Sequence, residues 1–179
     1  MHPNWSFPMK KFAGLMIVGV FAAGLAPAAS DAHVEMRPML TLGMAKAMAD
    51  ACEAFRETQE NFRAVNIAIV DRGADLVLFR RQNDAFLGSF EIALRKAQSA
   101  ARLPIPTRTL GEIVHGKDGM PGRAPALGEF HHVTALTGGL PIRMADGALV
   151  GAIGVSGATG DQDEQCAQAA IDAVADMLQ

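Results

Sequence analysis

The stretch LPIRMADGALVGAIGVSGATGDQDEQ, Leu140 to Gln165, confines the fold more tightly than any other part of the chain. Asp146-Gly147 separates two apolar runs, and an Asp-Gly pair so flanked is a strong hairpin signal because it reaches the positive-φ turn that matches strand twist. Gly151 and Gly154 fall inside the second run, where a missing side chain marks a bulge or the close approach of another backbone. Gly157 and Gly160 then turn the chain toward a last helix predicted from about Gln162 to Leu178, with Asp161-x-x-Glu164 fitting a capping box in its acidic form. Neither a strand-to-helix Gly-x-Gly-x-x-Gly nor a Walker pattern is present, so packing is the reading for these glycines, with an anion at the helix start as the alternative.

A second hairpin is predicted in AVNIAIVDRGADLVLFRR, two β-rich runs around a Gly-containing turn. Before it, Thr41 is a plausible N-cap for a helix whose Met44, Met48, Cys52 and Phe55 form one apolar stripe. After it, Asp84 caps a helix predicted to run to Arg102, with Phe86, Phe90, Ala93, Ala97 and Ala100 on the core side and Ser89 and Lys96 at the polar border. Pro104 and Pro106 end that helix, and a short one follows around Leu110 to Val114. The polar loop HGKDGMPGRAPALGEFHH comes next, long enough that a compact domain should have a use for it, and it leads into VTAL, read as a strand. Helices alternating with hairpins give an α+β single domain, an antiparallel sheet of about five strands covered by helices.

The first segment stands apart. KKFAGLMIVGVFAAGLAPA sets two lysines before a short uncharged apolar run and then small residues, the layout of a signal peptide over residues 1–32, cleaved after Ala28 or Ala32. Residues 33–39 read as a leader and 40–179 as the domain. The apolar run is too short for a comfortable membrane span, so the expectation is a periplasmic or secreted protein with no span after cleavage. Cleavage after Ala32 removes Lys10, Lys11 and Asp31 and moves the net charge from −3 to −4, which argues against nucleic acid as a partner. It also removes Trp5, the sole tryptophan of a chain without tyrosine.

AIVDRGADLVLFRR, AFLGSFEIALRKAQSAAR and GGLPIRMADGALVGAIGVSGATGDQDEQCAQAAIDA together resemble the haem-binding GlcG/HbpS-type family, which also supplies the C-terminal domain of some cobalamin adenosyltransferases. The resemblance runs from about Leu40 to the C-terminus. It implies a profilin-like fold, assembly into homo-oligomers, haem binding in some members and haem breakdown in a few. Where the family has Met-Asp-Gly after the second strand, this chain has Gln82-Asn83-Asp84.

Haem iron takes a proximal His, Cys, Met or Tyr. The adjacent pair His131-His132 stands out as candidate iron ligand, and His115 is a weaker one; the plain alternative is surface histidine. Phe86 on the apolar stripe, with Arg81 and Lys96 as cations for the propionates, completes the expected haem-binding set, between the second helix and the His131-His132 segment. No metalloprotease helix, Cys-x-x-Cys pair or nucleophile elbow is present. Cys52 and Cys166 both fall on core-facing stripes and are either small buried hydrophobes or, in an exported protein, a bonded pair. The expected function is haem or tetrapyrrole buffering, transport or sensing. Haem degradation and a ligand-free interaction module for an envelope sensor protein are the alternatives.

Overall fold

The computed structural model describes residues 35–179; the predicted signal peptide, its cleavage points and Trp5 lie outside the described residues. From Met36 onward the chain forms one unit. It runs α1 (Leu42–Glu57), β1 (Asn66–Asp71), β2 (Leu76–Arg81), α2 (Ser89–Arg102), α3 (Thr107–His115), β3 (Gly139–Arg143), β4 (Leu149–Ser156) and α4 (Gly160–Asp172), with 3-10 turns at Pro125–Glu129 and Ala175–Leu178. The strands form one antiparallel sheet in the order β2-β1-β4-β3, so each predicted hairpin is present and the two meet along β1 and β4.

Alternation along these strands sends two different sets of side chains to the two faces. Ile67, Ile69, Ile153 and Val155 point to one face, where α1 and α4 cover them with Met48, Ala49, Cys52, Cys166 and Ala170. Ala68, Val70 and Ala152 point to the other, against Ala93, Ala97 and Ala100 of α2. The domain is therefore three layers, helices on both sides of the sheet. A bond between Cys52 and Cys166 ties α1 to α4, resolving the alternative left open by the sequence.

Gly154 shows why its strand needs a bare backbone. A Cβ there would run into the Ala93 carbonyl and the Ala97 nitrogen, so α2 rests directly on β4. Gly157, at φ 153°, would likewise press a Cβ on the Ala64 carbonyl. Close approach, and not a phosphate cradle, is what these two glycines serve.

Several local expectations change. The VTAL segment is not a strand: the Thr134 N–H donates to Ser99 Oγ at 2.8 Å, spending on a helix the donor a sheet would have used, and the sheet has four strands among the described residues. Helix α2 starts at Ser89 with Gly88 as N-cap, because Asp84 sits at φ 66° in a preceding turn. Phe86 thus precedes the helix and is half exposed, as is Phe90, neither being plain core. The cap of α4 is Thr159 with Gln162, a capping box two residues earlier than the acidic one, and Asp161 and Glu164 instead hold Arg108 at 2.5 and 2.7 Å. The helix ends at Asp172, the expected remainder to Leu178 being partly a 3-10 turn.

Candidate functional site

Two neighbouring features lie along α2. The first is a cavity of about 410 Å³ between α2, residues 135–137 and the β4–α4 junction. Its mouth is apolar, with Phe86, Ile92 and Leu136, and its inner wall carries Ser156, Lys96 and Asp163. Lys96 is only 3% exposed; the stripe Ala93, Ala97, Ala100 carries it inward, correcting its expected place at the polar border. Its ammonium donates to Asp163 Oδ2 at 2.8 Å and to the Val155 carbonyl at 2.7 Å. Asp163 Oδ1 accepts the Ala158 N–H at 3.0 Å. Burial pushes the Lys96 ammonium below the ordinary lysine value and the Asp163 carboxyl above the ordinary aspartate value; in each case the partner's charge opposes the shift. Lys96 does grip a carboxylate, but one belonging to its own chain.

The second feature is the histidine pair. Ser99 donates its hydroxyl proton to the Arg95 carbonyl at 2.7 Å and accepts from the Thr134 N–H at 2.8 Å, and the second bond fastens segment 132–134 beside the second half of α2, with the His132 carbonyl 3.5 Å from the hydroxyl. Both imidazoles are exposed and meet edge to face, with ring centroids 4.3 Å apart. His131 Nδ1 lies 3.2 Å from His132 Nε2, which leaves His131 Nε2 without a partner among the described residues. The His132 imidazole is held below the ordinary histidine value, by desolvation first and then by the charges of His131, Arg102 and Arg95. The free nitrogen of the pair, His131 Nε2, is of the kind that ligates a metal. Phe130, also exposed, adds apolar surface next to the pair.

The remaining predicted residues are not gathered here. Arg81 donates to the Ala85 carbonyl at 3.4 Å and lines a separate hollow with Gln82, Asn83 and Asp84. That end of α2 is marked by Ser89, whose hydroxyl takes the Asn66 amide at 2.6 Å. Ser89 and Ser99 are about 15 Å apart at helical rise, so Arg81 and His132 belong to opposite ends of the helix. Phe86 lies at the Ser89 end and lines the cavity mouth. His115 closes α3 and is exposed, and the long loop after it forms its own hollow around Glu112, Lys117 and Met120. Arg95 and Arg102, the cations that act on His132, were missed by sequence reasoning; their spacing around Ser99 was the available signal, but only once Ser99 was known to hold the histidine segment.

The model of the family described as "Haem degrading protein HbpS-like" matches residues 40–172. The chain belongs to this HbpS-like family. It is 34% identical to the protein GlcG of Escherichia coli K12 over 121 residues, 68% of this chain and 85% of that one. The solved structure of a double mutant of Streptomyces reticuli HbpS superposes with a TM-score of 0.70 at 33% identity, covering 84% of this chain and 97% of the other. A PduOC–haem complex does so with a TM-score of 0.65 at 27% identity, covering 76% and 95%. The α+β fold of the HbpS-like family is therefore that of this chain, and membership in the family supports haem binding.

The residues present suit a haem in their chemistry. An exposed imidazole with a free nitrogen, an exposed phenylalanine next to it and two guanidinium groups nearby match iron, macrocycle and carboxylates respectively. Lys96 does not suit the expected role, since Asp163 and Val155 occupy its ammonium.

Proposed function

We propose that this protein is an exported haem-binding protein that buffers, carries or senses its tetrapyrrole. The observation that carries the reading is the family match across nearly the whole folded unit, with a neighbour of the same fold solved as a haem complex. The free His131 Nε2 supports His131 as the iron ligand. His132 then acts as its positioning residue, fixing the tautomer by pairing with His131 Nδ1. When bound, the haem would supply iron redox chemistry, and the chain would orient it through the histidine. The Cys52–Cys166 bond supports export, because such bonds persist in oxidising compartments. Exposed Leu76, Phe86, Leu87 and Phe90 support a homo-oligomer, since apolar surface of this kind is commonly closed by symmetric contacts.

Titration with haem, followed by visible absorbance, tests the reading. The expected result is a Soret band that shifts in His131→Ala, with weakened binding, and changes less in His132→Ala. An unaltered spectrum and affinity in the double variant would remove the histidine assignment. A second reading, haem breakdown, is favoured by the family's description. Loss of the Soret band with dioxygen and stoichiometric reductant, giving one defined product, would establish it over simple binding.

A further inference from the structure

Ser99 is the point at which α2 meets the histidine segment: its oxygen accepts the Thr134 N–H at 2.8 Å, its proton goes to the Arg95 carbonyl at 2.7 Å, and the His132 carbonyl lies 3.5 Å away. Arg95 is one helical turn before it and Arg102 one turn after, at i−4 and i+3, so both guanidinium groups leave α2 on the side where His132 is held. Arg102 is exposed and its side chain has no hydrogen bond or ion pair among the described residues. Arg95 pairs with Glu91 at 2.5 Å, an exposed contact that water and a competing anion can exchange. Lys96 has no such freedom, being buried with Asp163, and Arg81 lies toward the far end of the helix.

We propose that the Arg95–Ser99–Arg102 side of α2 is the anion seat of the histidine site, binding the carboxylates of a tetrapyrrole whose iron is taken by His131. This rests on the haem-binding reading and assigns it the carboxylate contacts. The chemistry is direct: guanidinium forks match carboxylates in geometry, and a haem whose two propionates leave the same edge of the macrocycle needs cations on that side only. The seat also predicts a preference for the free acid over its esters, because esterification removes the charges and leaves the macrocycle and iron in place.

Haem and haem dimethyl ester titrated into the full chain test the proposal, with Arg95→Gln, Arg102→Gln and the double variant compared against Arg72→Gln, a cation of the β1–β2 turn. The expected result is that the double variant binds haem at least about tenfold more weakly, keeps its Soret position and no longer distinguishes acid from ester. Arg72→Gln should behave as the parent. Equal haem affinity in the parent and the double variant would overturn the assignment, as would a parent that binds ester and acid alike. Failure here is separable from failure of the haem reading: histidine variants that alter the spectrum while the arginine variants do nothing reject only the seat. A parent that binds no haem rejects both.

Discussion

Against one face of the sheet, α1 and α4 bury Met48, Ile67, Ile69, Ile153 and Val155 and join through Cys52 and Cys166. Against the other, α2 brings alanines onto Ala68, Ala152 and Gly154, and it buries Lys96, Ser89 and Ser99 among them. The first face is filled by side-chain volume. The second is closed by backbone contact, and its stability depends on polar groups finding partners, since a buried polar atom without one costs far more than a satisfied one gains. The candidate sites lie on the second side. A helix resting directly on the sheet can hold charged and hydroxyl groups in fixed positions at its border, whereas a thick aliphatic layer cannot.

The sharpest way to break this contrast is Lys96→Met, which leaves the Asp163 carboxylate buried and unpaired. A loss of about 3–5 kcal/mol is expected in denaturant unfolding. Its pH dependence has a definite sign. Burial already raises the Asp163 pKa, and without Lys96 it rises further, so the folded variant holds a proton that the unfolded chain releases above the ordinary aspartate range. The variant should be relatively least unstable in acid, and lose stability as pH rises through that raised value. A deficit independent of pH would show that the lost lysine stem, not the orphaned charge, is responsible.

On the aliphatic face, removing the Cys52–Cys166 bond by the paired alanine substitutions should cost about 2–5 kcal/mol, since it closes a loop of 114 residues in sequence. Hydrogen exchange should then speed up in α1 and α4 more than in α2. Equal acceleration in all three would mean that the two faces unfold as one. Neighbouring positions of β4 give a finer comparison. Gly154→Ala forces a methyl group into the α2 backbone and should cost at least about 1–3 kcal/mol. Ile153→Val, one residue away on the opposite face, should cost about 0.5–1.5 kcal/mol by thermal unfolding. Adding a methyl on one face would thus harm more than deleting one on the other. The smallest effect expected is Arg108→Ala, under about 1 kcal/mol, because its pairs with Asp161 and Glu164 are largely exposed.

The sequence determined the two hairpins, the Thr41 cap, the stripe Met48 and Cys52, and the need for bare backbone at Gly154, because each is a local signal: a turn dipeptide, a cap, a 3.6-residue period, a glycine within a strand. It also carried the family resemblance, which lies in contiguous motifs. Other features depended on partners distant in the chain. On α2 alone the apolar stripe leaves Lys96 at the polar border; only Asp163, 67 residues later, makes its burial tolerable. The VTAL segment has strand composition, yet Ser99 captures its backbone donor. A period count carries Phe86 into a helix that begins three residues beyond it, because the left-handed Asp84 turn leaves no trace in the period. Arg95 and Arg102 became candidates only when Ser99 brought the histidines to them. Local periodicity and turn chemistry fix elements before packing begins, whereas the pairing of a buried charge, or of a loop with a helix face, is decided by which elements the fold sets side by side.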